Sequence, residues 1–372
     1  MNEHPNDWYL IENINEVDSP SLVIYPQRVK ANIHTAVEMI GDAQRLRPHV
    51  KTNKCIEAVV LMMDEGITKF KCATIAEAEM MGICKAQDVL LAYQPVGPKL
   101  QRFISVIKKF PATKYSCLAD NVDAADEMSE AFAANGLIVP VYLDLNVGQN
   151  RTGILPEHAA ELYVQCSKFK GIKPVGLHAY DGHIRDVDFN ERKQKCDECF
   201  EKVLNVKNEI INSGFEEPII IAGGSPTFSV HCKRKNIECS PGTFIYWDKG
   251  YTDLCPEQNF LTAALVISRV ISLPSETKLC LDLGHKSVAA ENEITNRVYF
   301  LNAPELKAVS QSEEHLVVEA GAGHHYKVGD ILYGLPIHIC PTIALYERAI
   351  TVNDNIANGE WKTVARDRKI SV

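Results

Sequence analysis

No apolar run in this sequence approaches the roughly 20 residues that a helix needs to cross a bilayer, which excludes a helical membrane protein. Basic charge is also short. The formal net charge is -9 and no long lysine- or arginine-rich stretch occurs, so a nucleic-acid phosphate backbone is not the expected partner. The opening residues, Met1 to Trp8, have neither the basic start nor the apolar centre of a secretion signal, and a cytoplasmic location is the expectation. Internal repeats and low-complexity tracts are absent. Cysteine, by contrast, is plentiful. Its 12 copies are scattered through apparent strands and helices, and we read them as reduced, mostly buried thiols. Cys196 and Cys199 form a C-x-x-C, but in a charged helical segment with no second ligand pair nearby, so the spacing carries no zinc or redox assignment.

What is present is a repeating grammar. At 372 residues, with 46% hydrophobic and 23% charged residues, the chain has the size and composition of a soluble enzyme larger than one typical domain. Short apolar runs alternate with helical stretches at 46–51, 69–73, 89–93, 115–119, 139–145, 174–180, 218–222 and 238–246. Eight strands, each followed by a helix, predict an α/β fold: an eight-stranded parallel (β/α)8 TIM-like barrel with its helices outside. Past Trp247 turn residues and strands replace helices, at 264–272, 277–283, 315–319, 331–333, 349–352 and 361–364. The expected organisation is a barrel over 20–250 and a C-terminal β domain over 251–372, to which 1–19 add a strand at 8–11.

The chemistry of such a barrel sits at the C-terminal ends of its strands, where the unusual polar residues of this chain fall. Lys51 ends the first strand. An amine facing a pocket there loses solvation, which raises the fraction of free amine able to attack a carbonyl. It is a candidate Schiff-base lysine with pyridoxal phosphate as its partner; alone, the residue reads as a surface lysine laying its stem on apolar neighbours. After the seventh strand, Gly223-Gly224-Ser225-Pro226-Thr227 has the form of a phosphate cup, with bare backbone and hydroxyls opening a helix, and Tyr246 is within range of the same phosphate. Arg151, after the fifth strand, offers a guanidinium fork for the cofactor's phenolate oxygen or a substrate carboxylate. His178, Tyr180 and His183 collect after the sixth; Tyr180 suits the pyridine nitrogen and His183 a general base. In the β domain, His338 and Cys340 point to one side of an extended chain and can share a metal ion that keeps positions open for water or substrate.

Taken together, several phrases resemble the D-threonine aldolase and D-serine dehydratase family: Arg47-Pro-His-Val-Lys-Thr-x-Lys54, Cys72-Ala-Thr-Ile-Ala-Glu-Ala-Glu79, Leu90-Leu-Ala-Tyr-Gln-Pro-Val-Gly97, Arg151-Thr-Gly153, Gly223-Gly-Ser-Pro-Thr227 and His338-x-Cys340. Members are pyridoxal-phosphate enzymes of the alanine-racemase-like fold, fold type III. They need a divalent metal and usually act as homodimers. The resemblance implies that Lys51 carries pyridoxal phosphate, Arg151 and Tyr180 contact its ring, the 223–227 loop with Tyr246 holds its phosphate, and His338 with Cys340 holds zinc, manganese or magnesium. Asn53 stands where many members have histidine. The His-x-Cys pair looks more like the dehydratase branch, whereas Ala92-Tyr-Gln-Pro-Val-Gly97 and Cys72-Ala-Thr74 look more like the aldolase branch.

The activity implied is a metal-dependent lyase on D-3-hydroxy amino acids, D-threonine aldolase-like cleavage to glycine and an aldehyde being the leading expectation. Dehydration of D-serine or D-threo-3-hydroxyaspartate uses the same parts. An amino-acid racemase of this fold and a non-catalytic pyridoxal-phosphate carrier are the two remaining alternatives.

Overall fold

The structure, a computed structural model, describes residues 8–372; Met1 to Asp7, part of the segment assigned to the β domain, lie outside the described residues. In chain order the elements begin with β1 (Ser21–Ile24), α1 (Pro26–Ile40) and α2 (Ile56–Asp64). Strand and helix then alternate: β2 (Lys69–Cys72), α3 (Ile75–Ile83), β3 (Asp88–Leu91), α4 (Pro98–Lys109), β4 (Lys114–Ala119), α5 (Val122–Ala134), β5 (Val139–Asp144), α6 (Pro156–Cys166), β6 (Ile172–Ala179), α7 (Phe189–Asn212), β7 (Ile219–Ala222), α8 (Phe228–His231) and β8 (Ile237–Cys239). After the short helix α9 (Lys249–Leu254) come β9 (Ala264–Ser275), β10 (Lys278–Leu281), β11 (Val298–Phe300), β12 (Lys307–Gln311), β13 (Leu316–Glu319), β14 (Ile331–Pro336), α10 (Ile339–Ile343), β15 (Arg348–Asn353) and β16 (Ile356–Lys362).

Strands β2 to β8 form one parallel sheet in sequence order. The eighth staff of the barrel is irregular. Residues 46–50 join β8 through a single bridge, Leu46 to Cys239, and β2 through another, His49 to Lys71. Pro48 has no N–H to give a continuous ladder. The segment still closes the barrel, because Arg47 N–H donates to Cys239 O at 2.8 Å and Val50 N–H to Lys71 O at 2.9 Å. Strand β8 stops at Cys239, short of the expected 246, where Pro241 and Gly242 end the ladder and a 3-10 turn takes over at Thr243–Ile245.

Inward-facing side chains stack in layers. At the N-terminal end Arg47 lies between Asp88 (2.6 Å) and Glu238 (2.7 Å), charges that are paired as burial demands. Above them Leu90, Leu118, Tyr142 and Ile221 form an apolar plug. Gly176 on β6 makes room for it, since a Cβ there would stand 2.8 Å from the Tyr142 ring and 2.2 Å from Ile219 O. The layer at the C-terminal ends is polar, with Lys71, Asp144 and His178 all buried. Outside, the helices bury alternate faces against the sheet; α1 contributes Val29, Ile33, Ala36 and Ile40.

The second sheet runs β12-β13-β10-β9-β1-β15-β16, with β14 pairing to both β9 and β11. Strand β1, within the range expected to be barrel, is paired here, antiparallel to β9 and parallel to β15. Residues 8–11 form turns rather than the expected strand. Their backbone bonds to side chains instead of a ladder, Ile11 N–H donating to the Tyr333 hydroxyl and Tyr9 O accepting from the Tyr25 hydroxyl, while Trp8 and Tyr9 pack by their rings on Tyr25 and Tyr333. Strands β11 and β12 were not expected from the sequence. Lys307–Gln311 carries no fully buried residue, so its alternation is too polar to read.

Candidate active site

Lys51 stands where the closing segment leaves the barrel, half-buried in a turn. The turn is braced from below. Val50 O accepts the Lys54 N–H, Lys54 adopts φ +52°, and its ammonium ion-pairs with Glu77, whose side chain is fully buried. Glu77 also accepts the Ala73 N–H at 2.5 Å, while Thr74 caps α3 by accepting from Glu77 N–H. The Cys72-Ala-Thr phrase therefore acts through the lysine turn.

His338 and Cys340 come together by a different route from the one expected. The chain leaves β14 and turns helical at Ile339 instead of staying extended, because buried Asp248 accepts the Ile339 N–H at 2.9 Å with one oxygen. Its other oxygen caps α9 through the Tyr251 N–H. Burial pushes the Asp248 carboxyl up to about 6, partly offset by those two N–H donors. The two side chains nonetheless act on each other electrostatically. Burial opposes charge on both, yet their mutual influence outweighs it: the Cys340 thiol is lowered and the His338 imidazole pushed up to about 9.

The Cys340 sulfur reaches across to the barrel, 3.1 Å from Thr52 Oγ1 and 3.4 Å from Thr243 Oγ1. Thr52 follows Lys51 directly, so the pair and the lysine share one mouth. A cleft lined by Arg185, Asp248, Tyr251, Asn292, Asn296 and His338 opens beside it. Glu291, which no sequence signal marked, accepts from His338 Nδ1 at 2.6 Å. A carboxylate on Nδ1 fixes that proton and leaves Nε2 as the nitrogen for a cation, the arrangement that metal-bound histidines use. Imidazole and thiolate so disposed fit a divalent ion, and thiolate favours zinc over magnesium.

The phosphate cup is built from two loops. Gly223 has φ +76°, and a Cβ on it would stand 2.7 Å from the His231 ring. Ser225 Oγ accepts from Gly242 and Thr243 N–H (3.3 and 3.1 Å), which ties the 223–227 loop to the turn after β8 and leaves its own hydrogen free. Buried Ser240 Oγ, at the same junction, has no partner among the described residues, which fits an anion not yet accounted for. Thr227 is a brace: its hydroxyl donates to Asp181 at 2.7 Å and accepts the Gly224 N–H. Asp181 in turn joins His231 and Cys196 in a buried cluster behind the cup.

Three expected residues make these contacts. Tyr246 is buried with its hydroxyl 3.6 Å from Cys55 Sγ, and among the described residues no hydrogen bond joins it to the 223–227 loop. His183 is exposed, packed on Gly148, with Nε2 3.9 Å from Cys199 Sγ; no hydrogen bond joins it to Lys51, His338 or Cys340 among the described residues. Arg151 is exposed and stacks its guanidinium 5.0 Å from the Tyr180 ring centre. Sequence reasoning missed Lys71, whose amine lies 5.7 Å from that same ring centre.

Comparison with known proteins supports the fold. Residues 263–352 match the family described as a putative serine dehydratase domain. The chain is 25% identical over 358 residues to a D-threonine aldolase of Arthrobacter sp., covering 94% of this chain and 93% of the relative. It is 22% identical over 238 residues, 62% of each chain, to the D-threo-3-hydroxyaspartate dehydratase of Delftia sp. strain HT23. Among solved structures, the D-threonine aldolase from Filomicrobium marinum superposes with a TM-score of 0.85 at 25% identity, covering 94% of this chain and 95% of that one. The barrel itself, residues 24–249 and more than half of the chain, matches the alanine racemase N-terminal domain, and the chain belongs to that family.

Proposed function

We propose that this enzyme is a pyridoxal-phosphate- and divalent-metal-dependent lyase acting on D-3-hydroxy amino acids, with D-threonine aldolase-like cleavage to glycine and an aldehyde as its reaction. The observation that carries the reading is the 3.1 Å approach of Cys340 Sγ to Thr52, which brings the His338–Cys340 pair of the second sheet to the residue after Lys51. A lysine able to hold a carbonyl cofactor and a donor pair able to hold a cation then face one substrate.

Pyridoxal phosphate linked to Lys51 supplies an electron sink for the substrate carbon that loses a bond. A divalent ion at His338 and Cys340 supplies the acid that makes the 3-hydroxyl easier to deprotonate. The remaining work falls to the chain. The hydroxyls of Ser225 and Ser240 are the donors left for the anion, and the Gly224, Gly242 and Thr243 N–H groups, bonded to Thr227 and Ser225, keep the cup in shape together with Asp181. Tyr180 and Arg151 line the barrel mouth where the cofactor ring would lie. Glu291 orients His338, and Asp248 fixes the backbone between the two ligands.

A second reading, dehydration, is favoured by the cysteine at position 340, whose sulfur is a soft ligand in place of a carboxylate. Incubating the loaded protein with D-threonine, D-serine and D-threo-3-hydroxyaspartate and assaying glycine against keto acid separates the two. Glycine from D-threonine supports the aldolase assignment, and keto acid without glycine refutes it. We further propose a homodimer, the assembly usual for the family that the sequence resembles.

A further inference from the structure

The polar ceiling of the barrel holds an amine that the function above leaves unused. Lys71, on β2, is 2% exposed and points inward between the closing segment and β3. Its Nζ lies 3.3 Å from His178 Nε2. The other ring nitrogen, Nδ1, lies 2.6 Å from Asp144 Oδ1, and Thr152 donates to the second Asp144 oxygen at 2.8 Å. The direction of these bonds is set by what each group can do. An ionised carboxylate only accepts, so His178 carries its proton on Nδ1; Nε2 is then bare and Lys71 donates to it. One N–H of the amine is thereby used, and its remaining hydrogen and lone pair are not.

The surroundings decide where those remaining positions lead. Below, the plug of Leu90, Leu118, Tyr142 and Ile221 closes the barrel to water from the N-terminal end. Above, the Tyr180 ring centre stands 5.7 Å from Nζ at the same mouth that holds Lys51. The charged and titratable groups facing the amine are Lys51, His49 and Arg47 from the closing segment, Asp144 from β5, and His178 and Asp181 from the end of β6. Burial and the Lys51 charge push Lys71 down to about 7, with Asp144 and Asp181 pulling the other way. Such an amine is neutral often enough near neutral pH to act as a base.

We propose that Lys71 is a second acid–base group of the active site, facing the substrate from the barrel side, with His178 and Asp144 as its positioning relay. The inference rests on the lyase reading above. In retro-aldol cleavage the 3-hydroxyl O–H bond and the Cα–Cβ bond break, a carbonyl forms, and Cα gains a hydrogen. The Lys71 lone pair takes the hydroxyl proton to give an ammonium, the Cα–Cβ electron pair stays with Cα, and the ammonium returns its proton to that carbon. One proton leaves, one arrives, and the amine ends as it began.

The test uses the cofactor-loaded protein and its Lys71→Met and Lys71→Arg variants. Glycine is incubated in D2O and exchange of its α-hydrogen is followed by NMR, beside the absorbance of the cofactor–lysine linkage and the pH profile of turnover. Both variants are expected to keep the linkage absorbance, to exchange at least about 100-fold more slowly, and to lose the limb of the pH profile near 7. His178→Gln is expected to move that limb without abolishing exchange. Wild-type exchange in either variant overturns the proposal, and Lys71→Arg, which keeps the charge but cannot give up a proton, serves if the methionine variant fails to fold. Absence of the linkage absorbance from the wild-type protein would instead sink the lyase reading, and this proposal with it.

Discussion

Removing the Glu291 carboxylate is expected to weaken metal binding while leaving both ligands in place. Glu291 Oε1 sits 2.6 Å from His338 Nδ1 and is the partner of that nitrogen. Groups in this position contribute about 10–100-fold to metal affinity by orienting the imidazole and raising its basicity. Here both side chains are more than 40% exposed, and solvent screening places the effect toward the lower end. Glu291→Gln keeps an acceptor and loses the charge, so its zinc Kd is expected to rise about 10-fold, ~1.4 kcal/mol. Glu291→Ala loses both and is expected to reach several tens of fold. Competition against a chromophoric chelator gives these constants directly, with His338→Ala as the control that removes a ligand outright. Should Glu291→Ala bind zinc as tightly as the wild type while His338→Ala does not bind, orientation by Glu291 is refuted. Should His338→Ala bind normally, the ion lies elsewhere.

Lys51→Ala is expected to fold with an unchanged circular dichroism spectrum and to lose the linkage absorbance entirely; a variant that retains it removes Lys51 from its role. Lys71→Met is expected to raise Tm, more at pH 6 than at pH 10. Burial lowers the folded-state value of Lys71 from 10.5 to about 7, so the cost of its buried charge, up to ~5 kcal/mol, is full below 7 and disappears as pH rises through 10.5. Equal Tm differences across that window would mean that the amine is not penalised by burial. Asp181→Asn leaves Thr227 and His231 without their shared carboxylate and is expected to cost about 3 kcal/mol and to weaken cofactor binding; calorimetry and a cofactor titration read the two separately.

How much of this was legible depends on whether a residue's role is set by its neighbours in sequence or by distant ones. The strand–helix alternation from residue 69 to 239 is local and carried the barrel, while Pro48 broke the regularity of the closing segment within the same local logic. Lys71 was within reach. In Lys69-Phe70-Lys71-Cys72 a period of two puts both lysines on one face, and Phe70 and Cys72 belong to the outer core, so that face is the barrel interior. Glu291 was not within reach, because its meaning comes from a loop in the second sheet folding back 47 residues to meet His338. His183 shows a placement that the sequence did not convey. A histidine at a strand end reads as catalytic, but the Asp181 and Ile184 side chains on either side are buried and turn its ring outward to Gly148 and Cys199.

The same residue types occur twice in this chain with opposite consequences, and the far nitrogen of the histidine separates them. Asp181, Cys196 and His231 converge in the interior with donor atoms at metal-like separations: 2.9 Å from His231 Nε2 to Asp181, 3.2 Å from Nε2 to Cys196 Sγ. There the other nitrogen, Nδ1, meets Arg234, which can only donate. Nδ1 must therefore accept, the proton sits on Nε2, and Nε2 donates to Asp181 instead of offering a lone pair. Burial pushes the Cys196 thiol up to about 12, so it stays protonated as well. At His338 the far partner is Glu291, an acceptor, and the logic reverses: the proton is held on Nδ1, Nε2 is the nitrogen whose proton a cation can displace, and the Cys340 thiol is lowered. A guanidinium behind the first ring makes a brace for the phosphate cup; a carboxylate behind the second makes a ligand.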